Sequence, residues 1–522
     1  MSPFRTDQGR VVTRPGPRAR MRVFRLLCVV LTVAPPLAAC GAQETETTEE
    51  SVEQITVLVD GTDQETDQED FESVTVRTGA VDSFDGHPHH PEGVLIDVSH
   101  PEFEGAEPFT EELTARIDQE VQDFRAGTRD PVSLDIGWQI TAAASGVLGV
   151  RLIRTEEDMH GLRQGYATYW YDAEKGHTAY STELLTDHEA LVALNDLVRE
   201  QLAGNENIDP AALQPVLRTY DSMGFNHDGD LVVEFDDGHL SPIVEGQVPS
   251  TEPGRIAVVI DSEEAGPLLS GLGERVQEAS LAEEHEFTVR EPDPEAEGPE
   301  PVPGVPRADD PGPDCHDGAT RCIALTFDDG PHENTPELLD LLAEEGVTAT
   351  FFLNGDPSLA RPSVFRRAYA EGHEIAGHND HHEHMPETYS GKELTAEVAA
   401  VGAMVRRQTG HTIQLFRPPF GASSDEVLAE IGEQDMAEVL WNIDSQDWRG
   451  RTPDEIVMGV VDSAGPNAIV LLHDPLEQTL EAMPELIARL RALDYEFVTV
   501  SEAIGGPIIG ESYPPGGLVG TP

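Results

Sequence analysis

The feature that most constrains this chain is a repeated alternation of strand and helix signals over its C-terminal part. Short apolar runs at 323–327, 348–353, 374–376, 414–416, 438–443, 468–472 and 496–500 read as strands. Helical patterns lie between them. One takes Thr335 as N-cap and Pro336 in its first turn, runs through Leu338, Leu339, Leu341 and Leu342, and stops at Gly346. Another carries Leu394, Val398, Val401 and Val405. Such alternation predicts an α/β domain built on a parallel sheet or a barrel.

The polar residues follow a rule on this scaffold. Asp328 and Asp329 follow the first strand, His378 and His382 the third, Arg417 the fourth, Asp444 the fifth, His473 and Asp474 the sixth. All stand at C-terminal strand ends, the face where such barrels build active sites. A His-x3-His pair with one carboxylate supplies three metal ligands and leaves positions open for water and substrate. His378, His382 and Asp329 fit, although His381 and His384 crowd the same segment. Asp328 is placed to take a proton from water, Arg417 to pair with Asp328, and His473 to donate to a leaving nitrogen. Asp444 is expected to bond the other nitrogen of His473 and raise its pKa. The chemistry implied is metal-assisted hydrolysis of an amide or ester.

Five motifs in order resemble the NodB-type polysaccharide deacetylases, carbohydrate esterase family 4. They are Thr326-Phe327-Asp328-Asp329-Gly330-Pro331, the segment 378–382, Arg417-Pro418-Pro419-Phe420-Gly421, Asp444-Ser445-Gln446-Asp447-Trp448 and Leu471-Leu472-His473. The resemblance covers about 200 residues. It implies a distorted (β/α)7 barrel that removes N-acetyl groups from chitin-like or peptidoglycan glycans. It also implies Asp328 as base, His473 as acid and Arg417 as holder of the base. Asp329, His378 and His382 would bind Zn2+, or Co2+, Mn2+ or Ni2+. Phe420 would contribute an oxyanion-binding amide, and Pro419 and Trp448 would line the sugar groove. Asn379 replaces a usual Ser or Thr and can make a similar loop hydrogen bond; Phe420 replaces a common Tyr. An O-acetyl xylan esterase and a non-catalytic glycan-binding or envelope-sensing protein are the competing readings.

The rest of the chain sets the context. Arg14, Arg18, Arg20, Arg22 and Arg25 precede an apolar run at 26–34 and then Leu37-Ala38-Ala39-Cys40. Basic, apolar, then small residues is a secretory signal pattern. Its end resembles a bacterial lipobox, which implies lipidation of Cys40, a membrane tie through that lipid alone and a place on the outer face of the cell membrane. In an exported protein Cys315 and Cys322 read as one short-loop disulfide, and their spacing is poor for zinc. Acidic residues number 98 against 33 Lys plus Arg, a net charge of −65. That balance argues against nucleic acid and anionic lipid headgroups as partners. It fits either a solvated acidic surface or adaptation to high salt. At about 150 residues per domain, 522 residues suggest two to three domains. The expected division is a signal and lipobox at 1–40, an acidic tether at 41–72, an α+β domain at 73–290, a stiff Pro/acid-rich linker at 291–314, the deacetylase-like domain at 315–510 and a loose tail at 511–522. The α+β domain more weakly resembles PdaC/RsiV-like extracytoplasmic domains, through the 94–98 strand with Pro101, the helix at 109–126, the run 165–176 and residues 231–248. It could bind wall glycan or act as a spacer. His87, His89 and His90 read as loop histidines beside prolines.

Overall fold

The computed structural model describes residues 52–53, 74–81, 94–103, 105–244, 247, 250–282, 287, 301–306 and 312–514. The signal, the Cys40 site, His87, His89 and His90, and all of the tether but 52–53 lie outside these. No described helix is long and apolar enough to cross a membrane.

An α+β domain comes first. One seven-stranded sheet runs β1 (Val52–Glu53), β2 (Val74–Val81), β3 (Leu95–Phe103), β4 (Ser133–Ala144), β5 (Val147–Asp158), β6 (Gly161–Asp172) and β7 (His177–Tyr180), in chain order. Only β3 and β4 pair in parallel, because α1 (Glu107–Gly127) crosses over between them. Phe109, Leu113, Ile117, Val121 and Phe124 of α1 are all buried, as their helical spacing predicts. The apolar stretch 132–154 turns at Ser145-Gly146, both with positive φ, into the β4–β5 hairpin. Then come α2 (His188–Leu202), a three-stranded sheet of β8 (Ser222–Phe225), β9 (Leu231–Phe235) and β10 (Ile256–Ile260), and α3 (Ser262–Ala265) with α4 (Gly271–Ser280).

The second domain is a curled parallel half-barrel. In sequence it contains β11 (Arg321–Gly330), α5 (Thr335–Glu345), β12 (Thr350–Leu353), α6 (Gly355–Ala360), α7 (Pro362–Ala370), β13 (Glu374–Gly377), α8 (Met385–Thr388), α9 (Lys392–Thr409), β14 (Leu415–Phe416), α10 (Asp425–Glu433) and β15 (Ala437–Val439). It continues with β16 (Ile443–Asp444), α11 (Pro453–Ser463), β17 (Ala468–His473), α12 (Glu477–Arg491), β18 (Tyr495–Phe497), α13 (Val500–Ile504) and β19 (Ser512–Tyr513). The sheet order is β16-β17-β11-β12-β13-β14-β15-β19, with β18 also on β11.

The pleat of this sheet sorts its residues. Ile323, Leu325 and Phe327 of β11 pack in one core with the surrounding helices, together with Phe351, Ile375, Val470 and Leu472. Ala324 packs in the other, with Phe352, Ala376 and Ile469. With a period of two, Thr326 and Asp328 continue the second face, as does His473 on β17. Asp328 and His473 are also cross-strand partners in the β11–β17 register.

Four expectations change. The predicted strand 438–443 is two strands, because the carbonyls of Val439 and Leu440 accept hydrogen bonds from buried Arg417. The expected loose tail contributes β19, which pairs in parallel with β15. Thr335 is the first residue of α5 rather than its N-cap, and its hydroxyl donates to Asp474 instead (2.6 Å). The linker is not extended at Gly304, whose carbonyl accepts from Leu217 N (3.2 Å). Gly304 has φ 93°, and a Cβ there would lie 2.5 Å from Leu217 N, so only glycine allows this approach.

Candidate active site

The site forms at the C-terminal ends of β11, β13, β14 and β17. Asp328 is 2% exposed, and Arg417 is fully buried beside it. Arg417 Nη1 donates to Asp328 Oδ1 and to Thr326 Oγ1, both at 2.7 Å. Its guanidinium lies 3.9 Å from the Phe352 ring centroid. Donors on the other nitrogens reach the Val439 and Leu440 carbonyls, so this buried cation is hydrogen-bonded throughout.

Asp329 needs a break in the pleat to reach the same place. Regular alternation would turn it outward with Phe327. The β11–β12 register shifts between Asp328 and Gly330, and Asp329 has φ 71°, so the bulge re-aims its carboxylate. Asp329 Oδ1 then lies 3.4 Å from His378 Nε2 and 3.1 Å from His382 Nε2. Asn379, His382, Phe420 and Gln446 also hold positive φ around this rim. Left-handed backbone at bulky residues is costly and collects at functional sites.

The segment 378–382 is tied down locally. His378 Nδ1 donates to the Arg417 carbonyl (2.6 Å), which leaves Nε2 facing Asp329. Asn379 Oδ1 accepts from His382 N (2.8 Å), the loop bond expected of the Ser or Thr it replaces. His381 turns away to Glu397 (2.7 Å), and His384 lies beside the Phe420 ring (6.4 Å). Of the four histidines here, only His378 and His382 meet Asp329.

These three fit a divalent cation. Their ligand atoms lie within 4.8 Å of one another. Asp329 Oδ1 is buried and has no hydrogen bond among the described residues. Burial would raise the Asp329 carboxyl, but the two imidazoles outweigh it and hold the pKa far below the usual range. One carboxylate with two imidazoles suits Zn2+ and similar borderline ions.

His473 differs from expectation in its partner. His473 Nδ1 donates to Asp447 Oδ1 (2.7 Å), not to Asp444. Asp447 is fully buried, and its other oxygen accepts from His473 N (2.8 Å) and Thr479 Oγ1 (2.6 Å). Asp444 instead accepts from Gln446 N (2.8 Å) and Trp448 Nε1 (3.4 Å). The reason is the turn after β16, where Gln446 is left-handed and Asp447 opens a 3-10 turn that swings it toward β17. Burial pulls His473 down, but Asp447, with Asp328 and Asp329, pushes its pKa up to about 9. Burial likewise raises Asp447, and its bond to His473 brings it below the ordinary value.

At the rim, Phe420 is 62% exposed with its ring edge-on to His382 (4.8 Å), and Trp448 is 52% exposed. Pro419 and Phe420 share a short 3-10 turn. Cys315 and Cys322 form a disulfide just before and at the start of β11. Sequence reasoning did not single out Asp447, Asn354 or Glu397. Asp447 was legible as a member of the quoted fourth motif. Asn354 Nδ2 donates to the His378 carbonyl (2.7 Å), and neither it nor Glu397 carries a spacing signal.

A buried carboxylate paired with an arginine, an imidazole paired with a buried aspartate and an Asp-His-His cluster on one barrel rim are the parts of a hydrolase. The family model described as polysaccharide deacetylase matches residues 316–439. The chain is 35% identical over 196 residues to the chitooligosaccharide deacetylase of a Bradyrhizobium species, covering 34% of this chain and 88% of that protein. It is 34% identical over 214 residues to the peptidoglycan-N-acetylglucosamine deacetylase PgdA of Listeria monocytogenes, 41% of this chain and 43% of the relative. Against the peptidoglycan-N-acetylmuramic acid deacetylase PdaC of Bacillus subtilis it is 33% identical over 183 residues, 35% of this chain and 38% of the relative. The chain belongs to the polysaccharide deacetylase family. It spans less than half the length of the Listeria and Bacillus relatives.

Proposed function

We propose that this protein hydrolyses N-acetyl groups on N-acetylglucosamine- or N-acetylmuramic-acid-containing glycans in a metal-dependent reaction. The observation that carries this is the convergence of Asp329, His378 and His382 beside two hydrogen-bonded pairs, Asp328 with Arg417 and His473 with Asp447. A divalent ion held by those three ligands supplies a Lewis acid for the acetyl carbonyl and makes water more acidic. Asp328, hydrogen-bonded by Arg417, takes the proton of the attacking water. The Phe420 amide binds the charge that develops on the carbonyl oxygen. His473, kept protonated by Asp447, gives its proton to the sugar nitrogen as the C–N bond breaks, leaving acetate and an amine. Trp448, exposed at the rim, is placed to line a groove for the sugar ring, whereas Pro419 is buried in its turn.

The test is acetate release from peptidoglycan, chitooligosaccharides and acetylxylan by residues 41–522, stripped of metal and resupplied with Zn2+. Zinc-dependent release from the N-acetylated glycans, lost in Asp329→Ala, is the expected result. Release from acetylxylan alone, or none with metal bound, refutes the reading. We place the enzyme on the outer face of the membrane, tethered through Cys40, on the strength of the basic, apolar and Leu-Ala-Ala-Cys run. Incorporation of labelled palmitate that survives Cys40→Ala would refute this tether.

A further inference from the structure

The segment that carries both candidate metal histidines is held from two sides. On the barrel side, Asn354 Nδ2 donates to the carbonyls of His378 (2.7 Å) and Asn379 (3.2 Å). Glu397 Oε2 accepts from the amides of Asp380 and His381, both at 3.2 Å. The other side belongs to the α+β domain. Arg129 stands in the turn between α1 and β4. Its guanidinium forks onto Asp380, with Nη2 donating to Oδ1 (2.6 Å) and Nη1 to Oδ2. Nη2 also donates to Asp356 Oδ1 (2.7 Å) at the start of α6.

Asp380 sits midway between His378 and His382 and is 5% exposed. Buried Glu397 lies close by, and the two carboxylates share the His381 ring nitrogen at 3.5 and 2.7 Å. Without Arg129 these two buried anions would face each other with one imidazole between them, and a buried charge stripped of its partner is strongly unfavourable. Asp380 has no room to retreat toward the barrel. A Cβ on Gly355 would lie 1.8 Å from Asp380 Oδ1, so the α6 backbone is already against it. The remaining relief is outward, and it would carry Asn379 and His382 along.

Other ion pairs join the domains without touching this segment. Arg406 Nη2 meets Asp123 Oδ1 (2.7 Å), and Arg407 Nη2 meets Glu156 Oε1 (2.6 Å), both from the C-terminal end of α9. Among the described residues, Arg129 makes the one interdomain ion pair that ends between the two histidines.

We propose that Arg129 is a positioning residue for the metal-binding segment, so that its fork from the α+β domain onto Asp380, rather than domain docking in general, sets metal affinity in the barrel. This rests on the reading of Asp329, His378 and His382 as ligands. The experiment measures Zn2+ affinity of residues 41–522 by competition with a chromogenic chelator, alongside amide hydrogen exchange over 378–384. Partners that orient ligands from behind are worth about 10- to 100-fold in metal affinity, and Arg129→Ala should lose that much and expose the 378–384 amides. Arg129→Lys keeps the charge without the fork and should fall between. Arg406→Ala, which loosens the same interface elsewhere, should bind zinc as the parent does. Arg129→Ala with Asp380→Asn should regain most of the affinity. Equal zinc affinity in the Arg129 variants and the parent, or equal losses in Arg129→Ala and Arg406→Ala, overturns the proposal. His382→Ala separates the two questions: if it binds zinc as the parent does, the ligand reading itself fails.

Discussion

Asp447→Asn isolates what the buried carboxylate does for His473. Asp447 Oδ1 accepts from the imidazole at 2.7 Å; burial pulls His473 down, but Asp447, helped by Asp328 and Asp329, pushes its pKa up to about 9 from the ordinary 6.5. That net interval corresponds to roughly 3 kcal/mol at 1.36 kcal/mol per pH unit. Asparagine keeps the shape and one accepting oxygen but removes the charge, while burial continues to pull the imidazole down. The general acid works only when protonated, so activity is present below the His473 pKa and is lost as pH rises through it. With the pKa near 9 about nine-tenths of the enzyme carries the proton at pH 8, and near 6.5 about 3% does. The variant should therefore lose roughly 30-fold or more at pH 8 and little through this route at pH 6. A bound dication opposes protonation in parent and variant alike, so it lowers both limbs and preserves their separation. The assay is kcat/KM for acetate release from a chitooligosaccharide between pH 5.5 and 10, with an NMR titration of His473 in metal-free protein. Asp444→Asn is the comparison and should leave the alkaline limb in place. An unmoved limb in Asp447→Asn, or a moved one in Asp444→Asn, would show that Asp447 does not set the charge on His473.

Three further outcomes follow from the geometry. Arg417→Ala leaves Asp328 buried without its cation, so the thermal unfolding midpoint should drop by the equivalent of about 3–5 kcal/mol, with activity lost. Trp448→Ala removes an exposed ring at the rim; burying about 40 Å2 of indole face on a sugar is worth about 1 kcal/mol, so KM should rise roughly fivefold with little change in kcat or stability. Replacing Cys315 and Cys322 by alanine opens a short loop and should lower stability by about 2.5 kcal/mol in denaturant titration, with kcat unchanged.

What was legible in the sequence follows the length of the local signal. The buried side of α1 repeats at helical spacing from Phe109 to Phe124, and the run 323–327 of β11 is buried throughout. The placement of Asp328 and His473 followed from strand ends alone, since parallel neighbours in register carry consecutive C-terminal residues to one rim. Asp329 was named correctly as a neighbour of the histidines only as a residue type. The bulge that turns its carboxylate into the site depends on β12 and has no local mark. The split between β15 and β16 was invisible for a related reason, because the carbonyls that leave the ladder there are taken by an arginine more than 20 positions earlier. Two-residue β19 carries no periodicity at all.

The exchange of Asp444 for Asp447 shows where spacing stops being informative. Both aspartates lie within four residues of a strand end, and both could reach a histidine on β17 if the chain between them were extended. Gln446 is not extended: its left-handed backbone folds Asp444 back onto its own turn and presents Asp447 across to β17. The choice between two chemically identical side chains was made by one backbone dihedral. The same logic applies to Arg129, which stands about 250 positions from Asp380 and meets it only because α1 docks on α9. Residues that perform chemistry cluster in motifs, whereas residues that hold those motifs in shape are recruited by the fold from wherever a neighbouring element happens to pass.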